Sequence, residues 1–62
     1  MEVNDRVVLV NLIDLVGAVY EKYNPKNTEG TVICIDKRFN PIEVMWDNGI
    51  KNSYSEKNLE LI

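Results

Sequence analysis

The alternation of apolar and polar residues along the chain predicts five short β-strands. β-branched and apolar runs indicate the first two strands, and a period of two residues indicates the third. The predicted strands cover residues 6–10, 31–35, 42–47, 52–54 and 59–62. Residues 36–41 form a turn segment that contains the breakers Asn40 and Pro41. The polar residues 55–58 predict one turn of 3₁₀ helix, capped by Ser55.

The Asn48-Gly49 pair predicts a hairpin between the third and fourth strands, and the loop length decides its register. A two-residue loop would pair Asp47 with Ile50. A three-residue loop with a left-handed Gly49 pairs Trp46 with Ile50 instead. The second register gathers five side chains on one face: Ile42, Val44, Trp46, Ile50 and Tyr54. Because a slip of one residue would move these apolar side chains to the wrong face, we predict the three-residue loop.

Residues 11–29 allow two interpretations. Apolar and aromatic residues recur there at spacings of three and four: Leu12, Leu15, Val16, Val19, Tyr20 and Tyr23. That spacing is typical of a helix. Gly17 weakens it by about 1 kcal/mol relative to alanine, and Asn24-Pro25 would end it. The segment is either a short helix within the first long loop or an extended loop folded against the sheet.

Short strands, an early long loop, a hairpin and a 3₁₀ turn before the last strand are the pattern of a small five-stranded SH3-like barrel. Three motifs sharpen this prediction: GTVICID at residues 30–36, VMWDNG at 44–49 and NSY at 52–54, followed by Leu59. Together they resemble the Mind bomb/HERC-type SH3-like repeat over about residues 30–61, half of the chain. Asn58 stands where that family usually has aspartate. Residues 11–29 have no counterpart that can be aligned.

The resemblance implies a function in binding. Members of the family are mostly repeats inside large ubiquitin ligases, where they bind peptide segments of partner proteins. Small stand-alone proteins of bacteria and large tailed phages are similar, which implies a modulator of a host or cellular protein. The expected partner is therefore another protein or a peptide segment, bound by a monomer or weak homodimer.

Composition narrows the function classes further. With 62 residues, the chain is expected to form one domain with a small core, and its alternating end indicates a final strand and a whole gene product. The absence of histidine and the single cysteine exclude an internal disulfide and a zinc cluster. Cys34 is interpreted as a small buried hydrophobe. The start of the chain lacks the basic region of a signal peptide and no apolar run approaches the length of a membrane span, which predicts a cytoplasmic protein, in the host cytoplasm if viral.

Four aromatic residues are the candidate protein-binding residues: Tyr20, Tyr23, Trp46 and Tyr54. Aromatic side chains with one wet edge are typical binding anchors. For Trp46 and Tyr54, the alternative is a place in the core. Phe39, at the tip of a polar turn, is either tucked down or available to a partner.

Other functions find less support. Lys37, Arg38 and Phe39 form the basic-aromatic cluster on which nucleic-acid binding would depend, but a net charge of −3 disfavours it. Asp47 is more typical of turn formation, with its carboxylate accepting backbone N–H bonds, than of catalysis or metal binding. We expect no enzyme and no cofactor, because the sequence has no nucleophile–base pair and no glycine-rich phosphate loop. A structural subunit that oligomerises through its edge strands is a further alternative.

Overall fold

The computed structural model describes residues 1–11, 28–36, 38 and 41–62. These residues form five strands and one 3₁₀ turn. The strands are β1 (Arg6–Leu9), β2 (Glu29–Ile35), β3 (Ile42–Trp46), β4 (Lys51–Tyr54) and β5 (Leu59–Leu61). The 3₁₀ turn, Glu56–Asn58, lies between β4 and β5. The prediction of a mainly β fold with five strands and a turn before the last one is confirmed.

All five strands belong to one antiparallel sheet with the order β4-β3-β2-β1-β5. The described strands form an open sheet that is not closed into a barrel, and the finer assignment to the SH3-like barrels stays a prediction. The sheet is open because β4 and β5 are its edges, and each pairs with only one neighbour, β3 or β1. These edge strands are four and three residues long.

The hairpin between β3 and β4 has the predicted register, with Ile42 opposite Tyr54. The Trp46 amide donates to the Ile50 carbonyl at 2.8 Å, and the Gly49 amide donates to the Trp46 carbonyl at 2.9 Å. Gly49 has a φ of +90°, which is the left-handed conformation that the three-residue loop requires. The three-residue loop is therefore confirmed.

The core lies on one face of the sheet, called here the inner face. Its buried apolar side chains are Val7, Leu9, Val32, Ile42, Val44, Trp46, Tyr54 and Leu59. Gly30 in β2 is buried beneath the Trp46 indole. A Cβ atom at this position would lie 2.5 Å from Trp46 Cε3 and 2.6 Å from Val44 Cγ1, so the indole can rest on β2 only because residue 30 has no side chain.

A β-bulge at Ile33 changes which residues of β2 face inward. Cys34 lies opposite Glu43, and Ile35 lies opposite Ile42, which leaves Ile33 as the extra residue. Without the bulge, strict alternation after Val32 would turn Cys34 inward. The structure instead exposes Cys34 on the outer face, so the interpretation of a buried cysteine is wrong.

Candidate functional site

A cleft of about 440 Å³ lies where the end of β2, the start of β3 and the 3₁₀ turn meet. Its lining comprises Met1, Ile35, Ile42, Ser55, Glu56 and Lys57. The first three of these side chains are apolar and the last three are polar or charged. The cleft therefore has an apolar floor and a polar rim, the usual arrangement of a site that binds an organic group.

The floor of the cleft follows from the bulge in β2. Because Ile33 is an extra residue, Ile35 faces inward and lies directly opposite Ile42. Ile42 is fully part of the core, whereas Ile35 and Met1 are only partly buried and pack against it. A ligand that covers Ile35 and Met1 would thus remove further apolar surface from water, which is favourable.

The rim of the cleft is held in place by Asn58, which is completely buried. Its side-chain oxygen accepts hydrogen bonds from Ser55 N at 3.1 Å and Ser55 Oγ at 2.8 Å. Its Nδ2 donates to Asn11 Oδ1 at 3.0 Å, and Asn11 Nδ2 donates to the Lys57 carbonyl at 3.0 Å. These bonds fasten the turn to the residues that follow β1 and fix where Glu56 and Lys57 stand.

Sequence reasoning placed Ser55 correctly as the residue before the turn but missed the part played by Asn58. The spacing Ser-x-x-Asn was a usable signal, because a residue three positions after a helix cap can bond back to it. The partner Asn11 is 47 residues away from Asn58 and could not be identified from spacing.

Trp46 and Tyr54 lie inside the core, with 1% and 2% of their surfaces exposed. Trp46 Nε1 donates a hydrogen bond to Tyr54 Oη at 3.0 Å, and the rings meet edge to face with their centroids 5.6 Å apart. Burial raises the pKa of Tyr54, and the hydrogen bonds with Trp46 and Asn52 oppose that rise. The structure therefore agrees with the core interpretation of this pair. Both side chains are buried, and neither presents surface to a partner.

The other two candidate protein-binding residues, Tyr20 and Tyr23, lie outside the described residues. Their part in binding a partner protein stays a prediction. Lys37 and Phe39 also lie outside the described residues, so the basic-aromatic cluster is described only at Arg38. Arg38 is exposed, its Nε is 3.5 Å from Asp36 Oδ1, and this carboxylate offsets the positive charge that a phosphate contact would use.

The outer face of the sheet carries a cluster of charged side chains around Arg6. Its guanidinium donates to both carboxylate oxygens of Asp47, at 2.9 and 2.6 Å, and reaches Thr31 Oγ1 at 2.8 Å and Glu29 Oε1 at 3.3 Å. The bond from Arg6 holds the pKa of the Asp47 carboxyl below its usual value. Arg6 therefore links β1, β2 and the start of the hairpin.

The interpretation of Asp47 as the residue whose carboxylate forms the turn is therefore wrong. Asn48 performs that function, since its Oδ1 accepts a hydrogen bond from the Ile50 amide at 3.0 Å. Asp47 binds Arg6 instead, because the bidentate pair of two charged groups is the stronger interaction.

Comparison of the chain with known proteins gives no relative. No family model, curated protein or solved structure matches it. The likeness to the Mind bomb/HERC-type repeat stays a prediction that depends on the motifs alone.

Two further observations concern only the part of the chain that the structure describes. No group of three or more histidine, cysteine or acidic side chains is placed to hold a metal ion there. None of its helices has the length and apolar character needed to cross a membrane.

Proposed function

We propose that this protein is a non-catalytic binding module that takes a short, extended segment of a partner protein in the cleft. The observation that carries this proposal is the apolar floor beside a polar rim. At about 440 Å³, the cleft falls within the range of small ligand sites. One large apolar side chain of the partner, placed over Ile35 and Met1, would fill the floor.

The charges on the rim indicate which residues of the partner segment would flank its apolar anchor. Glu56 and Lys57 are adjacent, exposed and of opposite charge. A segment that carries a basic residue on one side of its apolar anchor and an acidic residue on the other would pair with both. Such exposed pairs add little affinity, but they set the orientation in which the segment binds.

Trp46 and Tyr54 have a supporting part in this function. They fix the hairpin on which Ile42 lies, and Tyr54 directly precedes the rim residue Ser55. Tyr20 and Tyr23 remain predicted protein-binding residues. The resemblance to the Mind bomb/HERC-type repeat supports the same class of ligand, because those repeats bind peptide segments of their partners. It also supports a modulator of a host or cellular protein.

The test begins with selection of random peptides against the immobilised, folded protein. The expected result is a set of peptides that share one large apolar residue between charged residues of opposite sign. Affinity of the strongest peptide is then measured by calorimetry. Replacing Ile35 with Gln, which makes the floor polar, should weaken binding at least about tenfold, and Lys57→Glu should weaken it by a smaller factor.

Lys51→Glu is the matched control for Lys57→Glu, because it makes the same charge change on the outer face of β4. It should leave peptide affinity nearly unchanged. Thermal melts establish that each variant is folded. If the selected peptides bind wild type and Ile35→Gln equally, or if no peptide is enriched, the cleft is not a peptide site.

A further inference from the structure

The two edge strands of the sheet, β4 and β5, differ in their backbone amides and carbonyls that point away from the sheet. On the β4 edge these groups are better protected than on the β5 edge. In an antiparallel ladder, the amides and carbonyls of alternate residues face the neighbouring strand, and the others face away. In β4, the bond between Trp46 and Ile50 fixes this alternation, so Lys51 and Ser53 face away from the sheet. The Ser53 amide is already satisfied by Asn52 Oδ1 at 2.9 Å. With a lysine beside it, this edge is protected against pairing.

The β5 edge is less protected by the residues that the structure describes. Ile62 N donates to the Arg6 carbonyl and Val10 N donates to the Asn58 carbonyl, so the backbone groups of Leu59 and Leu61 face away from β1. The Leu59 amide bonds to the Glu56 carbonyl. The Leu61 amide and carbonyl have no partner among the described residues.

Two side chains at this edge are apolar and exposed. Leu61 is 53% exposed and Ile62 is 67% exposed, the two highest values among the large apolar side chains that the structure describes. An edge strand with an unpaired amide and exposed apolar side chains is a template for another strand. The combination of both features at Leu61 identifies an interaction surface that the peptide cleft does not use.

We propose that the β5 strands of two copies of this chain pair antiparallel across a twofold axis at Leu61. In this register, each Leu61 amide donates to the Leu61 carbonyl of the second copy, and the two leucine side chains lie side by side. A twofold axis at Glu60 instead of Leu61 would bring the two Glu60 carboxylates directly opposite each other, which is destabilising. The leucine-centred register avoids this and places Glu60 opposite Ile62 of the second copy.

The protected β4 edge determines the size of the assembly. Pairing of β4 with β5 of another copy would be heterologous and would extend into an open fibre. Because Asn52 and Lys51 protect β4, β5 is the available edge of the described sheet, and a twofold contact between two such edges closes on itself. The product is a dimer with one continuous sheet of ten strands, five from each copy.

The dimer is tested by sedimentation equilibrium of the full chain from about 10 µM to about 1 mM, a range suited to a small and weak interface. Wild type should pass from monomer to dimer over this range. Leu61→Lys, which gives the β5 edge the protection that β4 already has, should weaken association at least about tenfold. Ser53→Lys makes the same kind of change on the β4 edge and should associate like wild type. Circular dichroism establishes that both variants are folded.

A second variant tests the contribution of the Leu61 backbone amide and leaves the side chain unchanged. Chemical synthesis of the 62-residue chain with an N-methyl group on Leu61 removes one outward amide and leaves every hydrogen bond to β1 in place. This variant should remain folded and lose the dimer. A wild type that stays monomeric at about 1 mM overturns the proposal. So does a dimer that survives N-methylation, or one that Ser53→Lys weakens as much as Leu61→Lys does.

Discussion

The two faces of the sheet are held by different forces. On the inner face, apolar side chains surround the buried hydrogen bond from Trp46 to Tyr54. On the outer face, Arg6 joins two strands and the hairpin through the carboxylates of Asp47 and Glu29, in contact with solvent. Burial of apolar surface supplies most folding free energy, whereas exposed ion pairs contribute little. The inner face therefore supplies most of the stability of the fold, and the outer face adds contacts between strands far apart in the sequence.

Gly30→Ala should have the largest effect, because it adds a methyl group where the inner face has no space. The new Cβ would lie 2.5 Å from the Trp46 ring. We expect a loss of about 3 kcal/mol in the free energy of unfolding, measured with urea. Ser53→Ala, on the outer face, is the control and should change it by about 0.5 kcal/mol or less. A Gly30→Ala protein as stable as wild type would show that the indole does not rest on β2.

A pair of truncations compares the faces directly. Val32 is completely buried on the inner face, whereas Glu43 lies on the outer face beside Lys51, 3.7 Å away. Val32→Ala should lower the free energy of unfolding by about 2 kcal/mol, and Glu43→Ala by about 0.5 kcal/mol or less. Equal losses in urea denaturation would contradict the conclusion that the inner face supplies most of the stability.

Gly49→Val tests the turn that assigns hairpin residues to the two faces. At a φ of +90°, a β-branched residue is strained, although no atom beyond the two neighbouring residues in the chain lies within 4 Å of the added Cβ. The expected cost is more than about 1 kcal/mol in thermal or urea unfolding. Gly49→Asn is the matched control, since asparagine tolerates the left-handed conformation better and should cost less. If valine and asparagine are equally tolerated, the conformation of the loop is not left-handed.

Asp47→Asn should have the smallest effect at neutral pH, and its effect should depend on pH. Because Arg6 lowers the pKa of Asp47 from its ordinary value of 3.8, the pair stabilises the fold above that pH. This stabilisation is lost as the pH falls through the lower value of the folded state. The difference in urea midpoint between wild type and Asp47→Asn should thus narrow under acid conditions. Concentrated salt at pH 7 should also narrow this difference in urea midpoint. If neither acid nor salt changes the difference, the stabilisation by Asp47 is not electrostatic.

Some features of the fold could be predicted from the sequence and others could not. The register of the hairpin was predictable because Ile42, Trp46 and Tyr54 reach one face only with a three-residue loop. The bulge at Ile33 was not, because residues 32–35 are all apolar and fit either face equally well. The open sheet could not be predicted either, since strand pattern does not determine whether two edges meet.

The candidate site was the least predictable part. Its floor depends on the bulge, and its rim depends on a bond between Asn58 and Asn11, 47 residues apart. Arg6 and Asp47 are separated by 41 residues, and no local pattern connects them. The aromatic residues were easier to notice, but of the four candidates the structure describes only Trp46 and Tyr54, and both are core residues.

The bulge at Ile33 has a practical consequence for spectroscopy. By turning the chain's single cysteine, Cys34, out of the core, it provides one accessible thiol on the outer face. A maleimide fluorophore or nitroxide can be attached there without introducing or removing any other cysteine. Labelled chains would then report the separation between two copies by energy transfer or by dipolar spectroscopy.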